Sequence, residues 1–170
     1  MRFLLRRTRS SKLLDFFVFS LIVLAILGAL WLLPEAEPIK VTGSASVLDG
    51  DSLRLHGTEV RLVGVDAPER DQMCRRNGMN WPCGDEAASA LRNHVRGKSV
   101  TCEGAERDQH DRLLAVCRLG QADLNRWLVE RGWAVSYGRY PAEEERARQA
   151  RRGIWSGTFI PPRDWREGVR

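Results

Sequence analysis

Charged residues suited to binding a metal ion and a phosphate group recur between residues 49 and 112 of this 170-residue chain. In chain order they are Asp49-Gly50-Asp51, Arg61, Asp66-Ala67-Pro68-Glu69, Asp108 and Arg112. Carboxylates on neighbouring strands can hold a hard divalent cation through oxygen, and two arginines facing them can clamp a phosphate that the cation also contacts. Together these residue types predict a phosphodiesterase site.

Each of these motifs has an ordinary structural explanation when it stands alone. Asp49-Gly50-Asp51 is typical of a hairpin turn, and Asp66 before Ala-Pro is typical of the end of a strand. Glu69 and its neighbour Arg70 would otherwise form a solvated loop. Only the joint occurrence of these residues, in this order, favours a catalytic site over a set of surface turns.

The alternation of apolar and polar residues predicts the elements that must position this site. Strands are predicted at residues 40–48, 52–55, 59–65, 98–103 and 113–118, and helices at residues 85–96, 123–131 and 142–152. A long polar loop at residues 70–83 follows the third predicted strand, and such loops usually have a functional role or are tied by a disulfide. Five strands with about three interspersed helices indicate an α+β fold built on a small Greek-key barrel.

The amino-terminal region reads as a membrane segment. Residues 16–33 are apolar and uncharged and, with Leu13 and Leu14, reach roughly 20 residues, which is enough to cross a bilayer. Five basic residues precede this run, so the positive-inside rule predicts a cytoplasmic amino terminus. The alternative is a cleaved signal peptide, but residues 33–36 do not resemble a small-residue cleavage site.

The chain is therefore predicted to have four consecutive parts. These are a basic cytoplasmic terminus at residues 1–12, a transmembrane anchor at residues 13–33, a linker at residues 34–38 and one domain at residues 39–170. This arrangement predicts a single-pass protein of a bacterial inner membrane whose domain lies in the periplasm or outside the cell.

Net charge excludes a broad polyanion-binding surface on that domain. The formal net charge is +5, but residues 1–15 carry five cations and one anion, so they supply +4 of it. The domain is nearly neutral, and attraction to nucleic acid must come from local clusters of arginine.

All four cysteines follow the predicted membrane segment, in what should be an oxidising compartment. Cys102 and Cys117 lie in two strand-like runs joined by a polar loop, and Cys74 and Cys83 bracket a loop that contains Gly, Asn and Pro. We therefore predict the pairs Cys74 with Cys83 and Cys102 with Cys117. A zinc site is disfavoured because no Cys-x-x-Cys spacing is present.

Several segments in a fixed order resemble the staphylococcal-nuclease-like, or thermonuclease, family. They are the segments at residues 47–53, 60–69, 83–87, 108–115, 123–125, 132–134 and 147–155. The resemblance covers about residues 41–156. It implies a five-stranded OB-fold barrel and a calcium-dependent nuclease that acts on single-stranded DNA and RNA and leaves a 3′-phosphate end. The sequence itself shows no sign of an obligate protein partner.

The same resemblance assigns a role to each charged residue. The calcium carboxylates would be Asp51 and Asp66, with a backbone carbonyl ligand from Ala67. The phosphate-binding arginines would be Arg61 and Arg112, and Glu69 would activate or orient the attacking water.

The chain departs from the family pattern at residues 109–111. Gln109-His110-Asp111 stands where the family usually has a basic residue, a tyrosine and a turn glycine. His110 would then face the substrate, and Asp111 must adopt the glycine conformation, which Asp tolerates better than most residues. A substrate-facing tyrosine could instead be Tyr137 or Tyr140, and spacing does not choose between them.

Two functions from different classes remain open at the level of sequence. One is a membrane-anchored nuclease, and the other is a catalytically inactive OB-fold module that binds nucleic acid or protein. The acidic residues favour the nuclease, because a module that only binds phosphate gains nothing from three nearby carboxylates unless a cation is present.

Overall fold

The computed structural model describes residues 9–32 and 37–169 and divides the chain into two compact units, Met1–Ala36 and Glu37–Arg170. In the first unit a helix, α1, covers Arg9–Trp31, and its large apolar side chains from Leu14 to Leu27 are exposed. Within the described residues, no helix is both long enough and apolar enough to span a bilayer. Most of the predicted basic terminus, at residues 1–8, and residues 34–36 of the predicted linker lie outside the described residues.

The second unit combines short strands with four helices. Its strands are β1 Ile39–Ser44, β2 Ser46–Asp49, β3 Ser52–Leu55, β4 Thr58–Leu62, β5 Val65–Asp66, β6 Cys74–Arg76, β7 Met79–Trp81, β8 Ser99–Arg107, β9 Leu113–Leu119, β10 Ala122–Asp123 and β11 Val135–Ser136. Its helices are α2 Cys83–Val95, α3 Leu124–Glu130, α4 Pro141–Gln149 and α5 Pro162–Arg166, with a 3-10 turn at Gly153–Ser156.

One seven-stranded sheet forms the frame of this unit. Its strand order is β1-β8-β9-β4-β3-β2, with β10 paired to β9. The β4–β9 pair is parallel, and the other pairs are antiparallel. The two strands at the ends of this order, β1 and β2, are separated in the chain by Ala45 alone, so the sheet curls into a half-barrel. The predicted α+β class is confirmed.

The sheet has two more strands than the five predicted, because a bend divides the first predicted strand into β1 and β2 and because the short strand β10, which was not predicted, pairs with β9. Predicted strand 40–48 is interrupted at Ala45, and predicted strand 59–65 is interrupted at Val63-Gly64, after which β5 pairs with β11 in a separate sheet. The three predicted helices correspond to α2, α3 and α4 within a few residues.

A continuous apolar core lies inside the curl of the sheet. Burial alternates along β3 and β4, and α2 contributes the face that its spacing predicts. Its largest fully buried side chains are Leu53, Leu55, Leu62, Leu91, Leu113, Leu124 and Leu128, whereas Ile154 is buried in a second cluster with Cys74, Trp81 and Cys83. Burying each of these leucines contributes about 1.5–3 kcal/mol relative to exposure, so the core fixes the positions of the strands that carry the charged residues.

Both predicted disulfides are confirmed. Cys102 and Cys117 are direct cross-strand partners on β8 and β9, with Cα atoms 4.0 Å apart. Cys74 and Cys83 join β6 to the start of α2, with Cα atoms 5.6 Å apart.

The predicted loop at residues 70–83 contains a hairpin that sequence reasoning missed. Strands β6 and β7 pair across Asn77-Gly78, whose φ angles of 53° and 78° are both positive. An Asn-Gly pair with that geometry is the strongest short-range signal for a hairpin. The signal was present in the sequence, but the flanking polar residues concealed the strands.

Candidate active site

Three of the predicted site residues come together where β4 ends and β3 begins. Asp51 lies in the tight turn between β2 and β3, and Arg61 lies on β4, where it neighbours the turn because Ser52 pairs with Arg61. Asp66 ends β5. The turn depends on glycine, because a Cβ atom at Gly50 would lie 2.7 Å from the Cβ of Ala67.

The guanidinium of Arg61 joins the two aspartates. Its Nη1 donates to Asp51 Oδ1 at 3.0 Å, and its Nη2 donates to Asp66 Oδ1 at 2.9 Å. Both aspartates are buried, with exposed fractions of 3% and 7%. Two carboxylates that share one guanidinium lie within a few ångströms of each other, so the structure places the predicted metal ligands side by side.

Asp51 occupies a strongly desolvated position. Burial raises the pKa of its carboxyl to about 6, although Arg61 and the backbone N–H of Ala67 oppose that rise. That N–H donates to Asp51 Oδ2 at 3.0 Å, and Ser52 Oγ donates to Oδ1 at 3.1 Å. The carboxylate therefore carries a charge that its protein neighbours compensate only in part.

Glu69 lies close to this pair and contacts a residue that sequence reasoning missed. Nη1 of Arg166, on α5, donates to Glu69 Oε1 at 2.8 Å and to Asp66 Oδ1 at 2.9 Å, and Nη2 donates to Asp66 Oδ2 at 3.1 Å. Hydrogen bonds to Asp66 raise the pKa of Arg166, so it remains a cation. Arg166 lies about a hundred residues beyond its partners in the chain, and no local spacing predicts that contact.

A buried glutamine holds the Glu69 loop in place. Gln72 is fully buried; its Oε1 accepts from the backbone N–H of Glu69 at 3.2 Å, and its Nε2 donates to the carbonyl of Ile160 at 2.7 Å. The loop also packs tightly on the start of α2, where a Cβ atom at Gly84 would lie 1.7 Å from the carbonyl oxygen of Glu69. Glu69 is therefore positioned both by α2 and by the carboxy-terminal segment.

Arg112 is positioned by its own turn. Asp108 Oδ2 accepts from Arg112 Nε at 2.8 Å and from Nη2 at 2.6 Å, and Oδ1 accepts from the backbone N–H groups of Arg112 and His110. Burial alone would raise the pKa of Asp108, but these hydrogen bonds outweigh it and the pKa is lowered. Asp111 has a φ of 63°, so aspartate takes the left-handed conformation expected of the family glycine, as predicted.

Arg61, Glu69 and Arg112 face one cleft with a volume of about 610 Å³, and among the described residues its lining does not include Asp51 or Asp66. It is lined by Asp49, Arg61, Glu69, Asp108, Gln109, His110, Arg112 and Arg166. A neighbouring cavity of about 500 Å³ shares Arg61 and Arg166 with this cleft and is lined also by Asp66 and Tyr137. Both predicted phosphate-binding arginines therefore open onto the same space as Glu69.

The two candidate tyrosines are separated by the structure. Tyr137 lines the second cavity and is 67% exposed. Tyr140 directs its hydroxyl to Asp123 at 3.0 Å, and burial together with that carboxylate raises the pKa of Tyr140 to about 12. Among the described residues, Tyr140 is not part of the lining of either cavity.

The donor set at this site suits a hard cation. In the described part of the chain, no group of three or more His, Cys, Asp and Glu side chains is arranged to hold a metal ion. The predicted ligands need no such group, because they consist of two carboxylates, Asp51 and Asp66, and the backbone of Ala67, which adjoins Asp51. All of these donors are oxygens, which calcium prefers, and water can complete its coordination.

Comparison with known proteins places these features in a family. The model of the staphylococcal nuclease homologue family matches residues 59–157. The succinoglycan biosynthesis protein ExoI of Rhizobium meliloti (strain 1021) is 40% identical over 142 residues, covering 77% of this chain and 73% of that protein. An uncharacterized endonuclease of Escherichia coli O157:H7 is 33% identical over 132 residues, covering 71% of this chain and 80% of that protein. The probable endonuclease LCL3 of Schizophyllum commune (strain H4-8 / FGSC 9210) is 33% identical over 119 residues, covering 57% of this chain and 40% of that protein. This chain belongs to the staphylococcal nuclease homologue family.

Proposed function

We propose that this protein is a calcium-dependent nuclease that hydrolyses phosphodiester bonds of single-stranded DNA or RNA and leaves a 3′-phosphate. Family membership and the endonuclease names of two relatives support the enzyme class, a phosphodiester hydrolase. The observation that carries the proposal is the Arg61 guanidinium, which joins Asp51 and Asp66 beside a cleft that also contains Glu69 and Arg112.

In this proposal Asp51, Asp66 and the backbone carbonyl of Ala67 hold the calcium ion. A bound calcium ion would lower the pKa of a water ligand and polarise a phosphoryl oxygen. Burial of Asp51 favours a cation there, because its carboxylate is compensated only in part by its protein neighbours and the attraction to a nearby positive charge is strong in a low-dielectric site.

The arginines bind and orient the phosphate. Guanidinium groups present forked donors that match phosphate oxygens, and such contacts strengthen as charge grows on the phosphoryl group during in-line attack. Asp108 holds Arg112 at the wall of the cleft, so little conformational entropy remains to be lost when substrate binds. His110 lines the same cleft and, in this proposal, contacts the same substrate.

Glu69 accepts the proton of the attacking water as the water oxygen bonds to phosphorus. The bond from phosphorus to the 5′-oxygen breaks, so that the 5′-oxygen takes a proton from solvent and leaves as a hydroxyl. The Glu69 carboxylate opens onto the cleft, and Gln72 fixes the loop that carries it. A general base must lie within hydrogen-bond reach of the water it activates, and a fixed loop satisfies that condition better than a mobile one.

Two further proposals concern the whole chain. The strand order, with β1 and β2 continuous at its two ends, supports closure of the sheet as an OB-fold barrel.

The uncharged run at residues 16–33, preceded by basic residues, supports a single-pass inner-membrane anchor with a periplasmic or extracellular domain. Retention of the chain in the membrane fraction after alkaline carbonate washing tests the anchor, and release into the wash contradicts it.

A direct assay tests the nuclease. The full chain, purified in a mild non-ionic detergent, is incubated with denatured DNA or with RNA, with added calcium or with a chelator, and the products are resolved by size. We expect fragments only with calcium. Binding of the nucleic acid without cleavage at any pH from about 6 to 10 would instead identify the inactive binding module.

Glu69→Gln provides the sharpest variant for this assay. The amide keeps the size of the side chain but cannot accept the proton, so we expect turnover to fall by roughly a hundredfold or more while calcium and nucleotide affinity stay within about twofold. Glu145→Gln, an exposed position on α4, is the matched control and should behave as wild type. An equal loss of binding and of rate in Glu69→Gln would contradict the role of Glu69 as the base.

A further inference from the structure

The carboxy-terminal segment, residues 157–169, carries a cation into the acidic site. Nη1 of Arg166 contacts Asp66 Oδ1 and Glu69 Oε1 at 2.9 Å and 2.8 Å, so one nitrogen lies between the two carboxylates. Nη2 takes the remaining oxygen of Asp66 at 3.1 Å. Arg166, from the far end of the chain, therefore occupies both oxygens of the predicted metal ligand Asp66. It also occupies one oxygen of the predicted base Glu69.

The first half of this segment is firmly anchored. Thr158 and Arg75 exchange two backbone hydrogen bonds of 2.8 Å and 2.9 Å, and Gln72 holds the carbonyl of Ile160. Arg75 belongs to β6, which the Cys74–Cys83 disulfide ties to α2. The segment is thus fixed to the same structure that carries the Glu69 loop.

The second half is a short helix, and its contact with the acidic site is made by Arg166. Helix α5 contains only five residues and follows Pro161. The side chain of Arg166 is 39% exposed, whereas that of its partner Asp66 is only 10% exposed. Water reaches the pair from the arginine side, but the buried carboxylate needs a counter-charge, so a competing cation can replace Arg166 only by supplying that charge itself.

Arg61 contacts Asp66 through Oδ1, whereas Arg166 contacts both Oδ1 and Oδ2, so a divalent cation that ligates Oδ2 has to displace Arg166. A carboxylate oxygen directed at Nη1 or Nη2 has to turn or move to ligate a metal ion, and two positive charges a few ångströms apart repel each other. The acidic residues gain a counter-charge from either partner, so occupation by one weakens the other.

We propose that Arg166 is an internal counter-ion that competes with the divalent cation for Asp66 and pairs with the base Glu69 in the cation-free site, and that α5 leaves both carboxylates when the cation binds. The proposal rests on the cation site of the proposed function. It makes the carboxy-terminal segment a determinant of cation affinity, so that low calcium leaves the site closed by the protein itself.

Calcium affinity tests this competition without relying on cleavage. Isothermal titration calorimetry of the full chain in detergent, freed of metal, compares wild type with Arg166→Ala and with Arg163→Ala. Arg163 is the matched control, since it lies on the same helix, is 70% exposed and pairs with Glu167. We expect Arg166→Ala to bind calcium roughly three- to tenfold more tightly than wild type, and Arg163→Ala to match wild type.

If wild type binds calcium and cleaves nucleic acid but Arg166→Ala binds calcium no more tightly than wild type, the competition is overturned and the proposed function stays intact. Absence of calcium binding in wild type and both variants overturns both. Thermal unfolding of each variant, without calcium, verifies that the comparison is between folded proteins.

Hydrogen exchange provides a second readout that a merely structural role would not move. Calcium should increase the exchange rate of backbone amides at residues 163–168 in wild type, because α5 loses its contact with Asp66. Amides of β8 and β9 should not change. Unchanged or increased protection of residues 163–168 on calcium addition overturns the proposed release.

Discussion

At the scale of single residues, the site is held together by arginine side chains that form hydrogen-bonded ion pairs. Each guanidinium either joins two carboxylates or makes two hydrogen bonds to one carboxylate. Arg61 joins Asp51 to Asp66, and Arg112 makes two contacts with Asp108. Such charge-assisted pairs are stronger and more directional than neutral hydrogen bonds. They fix the geometry of the cleft before any ligand arrives, which is the property that a site acting by electrostatic stabilisation requires.

The raised pKa of Asp51 gives calcium binding a specific pH dependence. With a folded pKa of about 6 against 3.8 in the unfolded chain, the cation-free domain loses stability as pH rises from about 4 to 6, and the loss is complete above that range. Calcium needs the ionised carboxylate. One pH unit below the pKa only about a tenth of Asp51 is ionised, so the apparent calcium affinity should be about tenfold weaker there.

Thermal unfolding with and without calcium measures this effect. At a calcium concentration about tenfold above Kd, near pH 7.5, we expect a stabilisation of about 1.4 kcal/mol, and at the same calcium concentration near pH 5 about 0.4 kcal/mol. Asp51→Asn should abolish the calcium response at both pH values. A calcium response of the same size at both pH values in wild type would contradict the assignment of Asp51 as a ligand.

At the scale of elements, the site depends on contacts between segments that the sequence pattern treats as separate. Strand alternation predicts β3 and β4, and with them the neighbouring positions of Asp51 and Arg61. The same reasoning misses the β6–β7 hairpin and the role of Gln72, because a polar residue in a polar run carries no sign that it is buried. Only packing against Ile160 reveals Gln72 as the link between the Glu69 loop and the carboxy-terminal segment.

Replacing Gln72 should therefore affect both stability and catalysis. Gln72→Ala leaves the backbone N–H of Glu69 and the carbonyl of Ile160 without their partner and opens a cavity, and we expect a loss of about 2–4 kcal/mol in the free energy of unfolding. Turnover of the folded variant should fall as well, because the Glu69 loop loses a support. Chemical denaturation and kinetics at a temperature where the variant is folded measure the two effects.

Gln121→Ala, at an exposed turn before β10, is the matched control for this substitution and should cost less than about 0.5 kcal/mol. If Gln72→Ala were as stable as Gln121→Ala, the buried glutamine would not be a structural link. If it lost stability but kept full turnover, the support of the Glu69 loop would have to come from Gly84 and α2 alone.

At the scale of the whole molecule, the site draws on residues from position 51 to position 166. The order of the family motifs predicts the site residues from Asp51 to Arg112. The family resemblance indicates which residues lie together in the fold, whereas the local alternation of apolar and polar residues does not. Arg166 escapes both kinds of reasoning, since it lies outside the matched residues 59–157 and no periodicity connects it to Asp66. The two additional strands of the sheet escape prediction for a related reason: β2 is separated from β1 only by the bend at Ala45, and β10 has two residues and forms only by pairing with β9.

The two disulfides should have different consequences, because they join different parts of this architecture. Cys102–Cys117 links β8 to β9 inside the core, whereas Cys74–Cys83 fastens the hairpin on which the carboxy-terminal segment is anchored. With sequence separations of 15 and 9, loop closure predicts a loss of about 3 kcal/mol and slightly less on removing each bridge. Removing either bridge should therefore lower the free energy of unfolding by a similar amount, whereas the effects on turnover should differ.

Two double variants test this divergence, each serving as the control for the other. Cys102→Ala with Cys117→Ala should lower the free energy of unfolding but leave the kinetics of the folded enzyme near those of wild type. Cys74→Ala with Cys83→Ala should lower turnover and speed hydrogen exchange across residues 157–168, since the Glu69 loop and α5 share that anchor. Equal effects of the two double variants on turnover would contradict a special role of the Cys74–Cys83 bridge, because the β6–β7 hairpin would then position the site no more than β8 and β9 do.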